Sequence, residues 1–282
     1  MRPDINGQTA VYGIIGYPVK HSKSPQFQTA AFVSLGINAV YLPFQVRPED
    51  LKKAVEGIKA LSIKGFNVTV PHKEEIIPLL DELSEEVKYI GACNTVINLD
   101  GYLKGFNTDA DGFIQGLKEI LPEVHDKKFL IIGAGGASRA VIYGLIKEGV
   151  QSIHLANRTA GRIHRIIQDF STLNRFVDRI IHPLGLDEIE SVLPEIDVIV
   201  NTTSVGLKDE DPHLFDYSKI EKRHTVVDII YKKTPLLEAA EKKGCLWQDG
   251  LPMLLYQGAK AFEIWTGKEP PVEVMRRALT EK

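Results

Sequence analysis

Two polar side chains, each close to the end of an apolar stretch, could together move a proton. Lys73 ends the segment GFNVTVPHK (65–73), whose apolar residues alternate with polar ones as they do in a strand. Asp109 ends the segment NTD (107–109), which leads into a helical pattern. A lysine can give a proton to a reacting oxygen, or take one from it, when it lies within hydrogen-bonding reach.

Four further polar side chains stand at comparable places, where an apolar stretch meets a turn or a helix. They are Ser22, Ser24, Thr69 and Asn94. Ordinary structural explanations exist for several of them: Ser24 and Pro25 are typical of the N-cap and first residue of a helix, and Asn94 of a turn. Taken together, however, these groups gather at the carboxyl ends of predicted strands, where open α/β sheets bind ligands. For Asn67, in the same strand as Thr69, a purely structural role stays open.

A glycine-rich turn in the second half indicates a nucleotide site. The stretch FLIIGAGGASRAVIYGLIKEG (129–149) reads as a buried strand, a turn and a helix. Glycine allows a tight turn and the close approach of a phosphate to backbone N–H groups. The helix N-terminus that follows also favours an anion. The residues of this turn are Gly133, Ala134, Gly135, Gly136 and Ala137.

The residues after the next predicted strand favour NADP over NAD. A protein that selects NAD usually has an acidic residue here, which binds the ribose 2′-hydroxyl. This chain has Asn157, Arg158 and Thr159, with Arg162 soon after. An arginine can bind a 2′-phosphate through two N–H groups, whereas a carboxylate would repel it. Arg139, in the first turn of the helix after the glycine turn, is expected to stabilise nearby structure, and an auxiliary role in phosphate binding stays open.

Short apolar stretches alternate with helical patterns along the whole chain, which predicts βαβ units and mostly parallel sheets. Eleven strands are too many for one typical sheet, so two α/β domains are expected. Strands are predicted at 11–16, 39–46, 66–70, 94–99, 102–107, 129–133, 152–157, 179–184, 197–203, 225–230 and 245–249. Helices are predicted at about 25–35, 48–60 and 73–80 in the first half, and at 251–266 and 271–281 at the end.

The predicted domain organisation is discontinuous. The last two helices have no strand after them, and a terminal helix of this kind often returns to cover the first domain. We therefore expect a first domain of residues 1–110 plus 251–282 and a second of residues 111–250, with a cleft between them. The helix that begins near Thr108 marks the seam.

Composition excludes several classes of protein. The net charge of −3 provides no basic field for nucleic acid or an anionic membrane, and no apolar run is long enough to span a bilayer. No signal peptide is recognisable, and Cys93 and Cys245 are expected to be reduced, so a cytoplasmic protein is predicted. The histidine and cysteine spacings predict no metal site. Monomer and homodimer both stay open.

Eight motifs together resemble the shikimate dehydrogenase family, over nearly the whole chain. They are HSKSP, NVTVPHK, GACNT, NTD, GAGGASR, NRT, NTTSVG and LPMLLYQGA, in that order. The resemblance implies an α/β substrate domain, a Rossmann-type NADP-binding domain, and the reversible NADPH-dependent reduction of 3-dehydroshikimate to shikimate. This reaction belongs to the biosynthesis of aromatic amino acids.

The resemblance also implies roles for individual residues. Ser22, Ser24 and Tyr231 would bind the substrate carboxylate, while Thr69, Asn94 and Gln257 would bind ring hydroxyls or the carboxylate side. Lys73 and Asp109 would flank the reacting oxygen. Residues 133–137 would hold the pyrophosphate, and Asn157, Arg158, Thr159 and Arg162 the adenosine ribose and its 2′-phosphate. Gly250 and Met253 would lie near the nicotinamide.

Two questions stay open at the level of sequence. Either Lys73 accepts the proton as a neutral amine, or Lys73 and Asp109 share the transfer as a coupled pair. A paralogue that acts on quinate or an aminoshikimate, and a non-catalytic NADP-binding sensor, are alternatives to the dehydrogenase. Ser22, Ser24 and Arg158 favour shikimate and NADP, and the presence of both Lys73 and Asp109 argues against a sensor.

Overall fold

The computed structural model describes residues 5–172, 177–208 and 210–280. The chain divides into two compact units. The first consists of Met1–Gly112 and Leu255–Lys282, and the second is Phe113–Leu254. Each unit contains one six-stranded sheet, and each is described by itself.

The described strands and helices alternate along the chain. The strands are Ala10–Gly16 (β1), Ala39–Gln45 (β2), Gly65–Val68 (β3), Glu82–Leu83 (β4), Thr95–Leu99 (β5), Tyr102–Phe106 (β6), Lys128–Ile132 (β7), Ser152–Ala156 (β8), Ile181–Leu184 (β9), Val198–Asn201 (β10), Thr225–Asp228 (β11) and Leu246–Gln248 (β12). The helices are Ser24–Ser34 (α1), Leu51–Ala60 (α2), Glu85–Ile90 (α3), Asp109–Lys118 (α4), Gly136–Lys147 (α5), Ala160–Ser171 (α6), Val177–Ile180 (α7), Ile189–Val192 (α8), Pro235–Lys242 (α9), Leu251–Thr266 (α10) and Val272–Thr280 (α11).

The sheet of the first unit has the order β2-β1-β3-β5-β6-β4 and is mixed. β1 pairs in parallel with β2 and β3, whereas β5 runs antiparallel to both β3 and β6. The prediction of mostly parallel sheets is therefore correct for only part of this unit. The reason is local: a short connection between β5 and β6 can join antiparallel strands, whereas a parallel pair needs a long crossover.

Alternation along the strands of the first unit separates two packed faces. Ile15, Phe66 and Val68 belong to a core on one face, which also contains the apolar side of α2. The intervening residues face the other way, where Tyr12 stacks on Phe32 of α1. This second face contains several aromatic rings and, at Asn67, a buried amide.

The helices at the end of the chain complete the first unit. Trp265, on α10, contacts the rings of Tyr12 and Tyr41 and donates a hydrogen bond from Nε1 to the carbonyl oxygen of Val96 at 2.9 Å. A Cβ atom on Gly65 would lie only 2.5 Å from the indole ring. α11 packs against α1. The indole therefore lies directly on the backbone of β3.

The sheet of the second unit has the order β12-β11-β10-β7-β8-β9, and all its pairs are parallel. Read from β9, this is the strand order of a Rossmann-type dinucleotide-binding fold. Leu130, Ile199 and Val226 belong to a core that also includes residues of α8 and α9. The prediction of a two-domain α/β fold is confirmed, while the cleft between the domains stays a prediction.

Three local predictions are wrong. No α-helix covers 73–80; hydrogen-bonded turns lead instead into a 3-10 helix, Ile77–Leu79, because Pro78 lacks an N–H donor and interrupts an α-helix. Lys73 is therefore not at a helix N-terminus. Ser24 is not an N-cap, since α1 begins at Ser24 and Lys23 occupies the cap position. The strand predicted from 179 begins only at Ile181, after the short helix α7.

Across residues 5–172, 177–208 and 210–280, the chain has no helix that is both long and apolar enough to cross a membrane.

The contact of Trp265 with β3 predicts opposite effects for two glycine substitutions. Gly65→Ala should lower the free energy of unfolding by about 1–3 kcal/mol, because the new methyl group must displace the indole. Gly57→Ala is the matched control within α2, where nothing lies within 4 Å of the new Cβ. It should raise stability by about 0.5–1 kcal/mol. Urea unfolding of both variants measures the difference, and equal stabilities would contradict this account of the α10 contact.

Candidate active site

The Lys73 and Asp109 side chains form an ion pair in the first unit. Lys73 Nζ donates to Asp109 Oδ2 at 2.5 Å, and the side chains are 21% and 8% exposed, respectively. Lys73 lies in the turns that follow β3, and its carbonyl oxygen accepts a hydrogen bond from the N–H of Cys93 at 2.7 Å. Asp109 is the first residue of α4. The pair is therefore mostly buried, and both backbones are held.

The start of α4 is fixed by the two residues before Asp109. Asn107 Oδ1 accepts a hydrogen bond from the Asp109 N–H at 3.0 Å, and Asn107 Nδ2 donates to the carbonyl oxygen of Ala92 at 2.8 Å. The Thr108 N–H donates to Asn94 Oδ1 at 2.8 Å. Asp109 is consequently placed by buried hydrogen bonds rather than by helix propensity.

Asn94 is the residue that joins the pair to the sheet. Its Nδ2 donates to Asp109 Oδ1 at 2.8 Å, and Gln257 Oε1 lies 3.4 Å from the same nitrogen. The structure thus brings together four residues singled out in the sequence: Lys73, Asn94, Asp109 and Gln257. Asn94 and Gln257 are both buried.

The two serines of HSKSP lie at the start of α1. Ser22 Oγ accepts a hydrogen bond from the Ser24 N–H at 3.2 Å, and Ser22 is partly exposed. Ser24 is buried beside Tyr41. Burial raises the pKa of the Tyr41 phenol, and its hydrogen bond with Ser24 acts in the opposite direction.

Thr69 is half-buried directly beside β1. A Cβ atom on Gly16 would lie 2.3 Å from Thr69 Cγ2, so the glycine gives Thr69 its space. The Thr69 N–H donates to the carbonyl oxygen of Ile15 at 3.0 Å. Among the described residues, no side chain or backbone group forms a hydrogen bond with the Thr69 hydroxyl.

In the second unit, the glycine turn connects β7 to α5. Gly133 has φ +115°, and a Cβ atom there would lie 2.6 Å from Thr202 Oγ1. Gly135 has nothing within 4 Å of its Cβ position and precedes α5, which begins at Gly136. Gly133 therefore allows close packing within the fold, while Gly135 leaves open space beside the first turn of α5. Ala134 and Ala137 lie between and after them.

Arg158 lies beside a cavity of about 480 Å³. The cavity is lined by Asn157, Arg158, Ala160, Ile163 and residues 183–188. Asn157 Nδ2 donates to the carbonyl oxygen of Thr159 at 3.0 Å, which shapes the turn. Arg158 and Arg162 are exposed, and neither forms an ion pair with a carboxylate in the described part of the chain. Arg139 instead pairs with Asp169 of α6 at 2.9 Å, as a structural role predicts.

Tyr231, Gly250 and Met253 also belong to the second unit. The Gly250 N–H donates to the carbonyl oxygen of Ile230 at 3.1 Å, and a Cβ atom on Gly250 would lie 2.0 Å from the carbonyl oxygen of Ile229. Gly250 therefore packs against the segment that ends in Tyr231, whose side chain is 46% exposed. Met253 is in the first turn of α10.

Sequence reasoning missed a buried acid that supports this segment. Asp228 is fully buried at the end of β11 and accepts hydrogen bonds from Asn201 Nδ2, Thr234 Oγ1 and the Ile230 N–H. Burial raises the pKa of its carboxyl group, which these hydrogen bonds oppose. The available signal was the acid in VVDII, directly after two apolar strand residues, Val226 and Val227.

The described residues support neither a reactive thiolate at Cys93 nor a metal site. Burial raises the pKa of the Cys93 thiol to about 12, so this residue is not a thiolate at neutral pH. No group of three or more His, Cys, Asp or Glu side chains could hold a metal ion in residues 5–172, 177–208 and 210–280.

A Rossmann-type sheet with a glycine turn and a separate unit with a mostly buried lysine–aspartate pair define the class of two-domain α/β dehydrogenases. Three family models match the chain in succession: the shikimate dehydrogenase substrate-binding domain over residues 14–96, shikimate/quinate 5-dehydrogenase over 115–230, and the shikimate 5′-dehydrogenase C-terminal domain over 250–280. The chain belongs to the shikimate dehydrogenase family.

Individual relatives agree over nearly the full length. Shikimate dehydrogenase (NADP(+)) of Aquifex aeolicus is 53% identical over 98% of this chain and 98% of its own. A crystal structure of shikimate dehydrogenase from Aquifex aeolicus has a TM-score of 0.92 and covers 98% of this chain and 100% of its own. A shikimate dehydrogenase crystallised with NADP+ has a TM-score of 0.93 at 41% identity, covering 99% and 97%.

The two glycines of the turn predict different stabilities. Gly133→Ala should lower the free energy of unfolding by about 1–3 kcal/mol, because the backbone is left-handed and the methyl group meets Thr202. Gly135→Ala should change it by less than about 0.5 kcal/mol, because its Cβ position is open. Thermal unfolding of the two variants checks this, and equal destabilisation would show that the turn is packed on both sides.

Proposed function

We propose that this chain catalyses the reversible, NADPH-dependent reduction of 3-dehydroshikimate to shikimate in the biosynthesis of aromatic amino acids. The observation that carries the proposal is the contact between Lys73 Nζ and Asp109 Oδ2, in a chain of this family. Proton transfer to a carbonyl oxygen needs a donor that is held within reach of it. The mostly buried pair meets that need.

Side chains near this pair are proposed to bind the substrate. Shikimate carries a carboxylate and three ring hydroxyls, so its site needs donors at one end and mixed partners elsewhere. Ser22 and Ser24 supply hydroxyls beside the start of α1, and Thr69 supplies a half-buried hydroxyl. Asn94 and Gln257 supply amides next to Asp109. Tyr231 stays a sequence-based prediction for the carboxylate.

Lys73 is the proposed proton donor and acceptor. In the reduction, its ammonium group donates a hydrogen bond to the carbonyl oxygen and loses a proton as that oxygen becomes a hydroxyl. In the oxidation, the amine takes the proton back. Asp109 holds Nζ through Oδ2, and Asn94 holds Oδ1, so the carboxylate keeps its orientation while the proton moves. NADPH, when bound, supplies the hydride.

The residues of the second unit fit NADP. The open side of Gly135 leaves room for a phosphate beside the backbone of Gly133–Ala137. Arg158 and Arg162 have no carboxylate partner among the described residues, so both cations are available to a 2′-phosphate beside the cavity. Asn157 and Thr159 would bind the ribose. Gly250 and Met253 are proposed for the nicotinamide end.

Reversing the charge at Arg158 should change cofactor preference. Arg158→Asp should raise the Kd of NADP by about 10- to 100-fold, because a bidentate contact to the 2′-phosphate becomes a repulsion. The Kd of NAD should change by less than about threefold, since it lacks that phosphate. Arg165→Asp controls for net charge, because Arg165 is another exposed arginine, on α6. Fluorescence titration measures both constants, and equal losses for the two cofactors would make Arg158 a structural residue.

Removing the Lys73 ammonium should affect the rate rather than binding. Lys73→Ala should lower kcat by about 10²- to 10⁴-fold, the range for loss of general acid–base catalysis. The shikimate Kd should stay within about threefold because the other contacts remain. Lys88→Ala is the control, since Lys88 is an exposed lysine that pairs with Glu85. Steady-state kinetics and calorimetry decide, and a near-normal kcat would remove Lys73 from the mechanism.

One assay tests the function as a whole. Purified protein is mixed with shikimate or quinate and with NADP or NAD, and absorbance of the reduced cofactor is followed. Fast reduction only with shikimate and NADP supports the proposal. Comparable rates with quinate or NAD would indicate a paralogue of broader specificity. NADP binding without any turnover would indicate a sensor.

Location and assembly are also proposals. Cys93 and Cys245 are both free and buried, which suits the reducing cytoplasm. The partner proposed is the small-molecule substrate, with no nucleic acid. Light scattering after size-exclusion chromatography distinguishes the monomer from the homodimer.

A further inference from the structure

A buried chain of hydrogen bonds joins side chains of β2, β3 and β5 in the first unit and leads toward Asp109. Tyr41, on β2, donates from its hydroxyl to Asn67 Oδ1 at 2.6 Å. Asn67, on β3, donates from Nδ2 to Thr95 Oγ1 at 2.9 Å. Thr95, on β5, donates from Oγ1 to Asn94 Oδ1 at 3.1 Å. All four residues are buried.

The orientation of the Asn67 amide follows from the backbone. Asn67 Nδ2 lies 3.1 Å from the carbonyl oxygen of Asn94, which can only accept a hydrogen bond. The atom that faces this carbonyl must therefore be the nitrogen. It follows that the oxygen faces Tyr41, and that the tyrosine hydroxyl is the donor in their contact.

The orientation of the Asn94 amide is fixed in the same way at the other end. The Thr108 N–H can only donate, and it lies 2.8 Å from Asn94 Oδ1. The other side-chain atom of Asn94 is then the nitrogen, which donates to Asp109 Oδ1 at 2.8 Å. Any rotation of this amide would turn its oxygen toward the carboxylate.

The Thr95 hydroxyl connects the two amides and has one proton. It accepts from Asn67 Nδ2, so its proton is directed away from Asn67 and toward Asn94 Oδ1. Thr108 Oγ1 provides a parallel route to the same oxygen, since it lies 3.2 Å from Thr95 Oγ1 and 3.3 Å from Asn94 Oδ1. Asn67 and Thr95 are also neighbours in register across β3 and β5. The donors therefore all point one way, from Tyr41 toward Asp109.

We propose that Tyr41, Asn67 and Thr95 are positioning residues, which hold the Asn94 amide and through it the Asp109 carboxylate in the orientation that Lys73 needs. The inference deepens the proposed function and rests on it. These residues touch neither Lys73 nor Asp109 in the contacts given above. They keep the Asn94 nitrogen, rather than its oxygen, directed at Asp109 Oδ1. Both carboxylate oxygens of Asp109 then accept a hydrogen bond, Oδ1 from Asn94 and Oδ2 from Lys73.

Thr95 offers the sharpest test because its hydroxyl and its methyl group can be removed separately. Thr95→Val keeps the shape but breaks the chain. Thr95→Ser keeps the hydroxyl and loses a methyl group. In Thr95→Val both amides retain their backbone partners, the carbonyl of Asn94 and the N–H of Thr108, so the protein should still fold. The two variants therefore separate positioning from packing.

Of the two variants, Thr95→Ser is expected to have the higher kcat and Thr95→Val the higher stability. Thr95→Val should lower kcat by about 10- to 100-fold, the effect of a small misplacement of a catalytic group, with the KM for shikimate within threefold. Thr95→Ser should restore most of kcat, although its midpoint in urea should be lower than that of Thr95→Val. Equal kcat values for the two variants, or kcat values that follow the urea midpoints, would overturn the proposal.

Tyr41 provides a second test with a control in register. Tyr12 lies opposite Tyr41 on β1, is also buried and also contacts Trp265, but its hydroxyl forms no hydrogen bond with another described residue. Tyr41→Phe should lower kcat at least threefold, whereas Tyr12→Phe should leave it within about 1.5-fold. Unchanged kcat in Tyr41→Phe, or equal losses in both variants, would exclude Tyr41 from the chain of positioning residues.

The rate of the unaltered protein tells the two possible failures apart. If it does not oxidise shikimate with NADP, the proposed function fails, and the inference fails with it. If it does, and Thr95→Val retains that rate, only the positioning role is overturned. Assay of all five proteins in one series gives both answers.

Discussion

The side-chain amide of Asn94 is the group on which the geometry of the ion pair depends. Its oxygen accepts the N–H that precedes Asp109, and its nitrogen donates to the Asp109 carboxylate. Its backbone is held as well: the carbonyl accepts from the Val68 N–H, and the N–H donates to the carbonyl of Phe106. All four polar groups of this buried residue thus have hydrogen-bond partners, as buried polar groups generally do. The antiparallel placement of β5, between β3 and β6, is what makes this possible.

The two units prepare their ligand-binding groups by different physical means. In the first, side chains are held by other side chains, and the orientation of each amide is decided by a backbone partner. In the second, the glycine turn relies on the absence of side chains. Gly133 lets β7 and the residues after β10 approach closely, and Gly135 leaves the start of α5 open. Substitution of Asn94 would therefore act through hydrogen bonding, whereas substitution of Gly133 would act through space.

Sequence patterns predicted the parts of the fold that depend on neighbouring residues. All eleven predicted strands begin and end within two residues of a described strand, and α10 begins and ends where its pattern predicts. The helix predicted at 73–80 is wrong because Pro78 lacks an N–H donor, so the segment ends in a 3-10 helix instead. β4 was not predicted because it has only two residues, too few to show the alternation of a strand.

Only part of the site was predictable from the sequence, because local patterns do not reveal contacts between distant strands. Lys73, Asn94 and Asp109 stand at strand ends in recognisable motifs, and the structure joins them. Tyr41 lies in none of these motifs, and Thr95 is in GACNT without any sign of its role, because each depends on a partner across the sheet: Asn67 is 26 residues from Tyr41 and 28 from Thr95. Strand register decides these contacts, and register is not visible in local sequence. The roles in cofactor and substrate binding stay predictions.

The place of Trp265 in the first unit has a consequence for how the chain is made on the ribosome. β1, β2, β3 and β5 emerge early, yet the indole that lies on Gly65 and binds the Val96 carbonyl belongs to α10, near the end of the chain. At about 5–20 residues per second, synthesis of the intervening second unit and the last helices takes roughly 10–30 s. During that time the aromatic face of the first sheet has α1 packed on it but lacks the part of its cover that α10 supplies. The second unit is continuous and can fold meanwhile, so the part that is synthesised first is the part that is finished last.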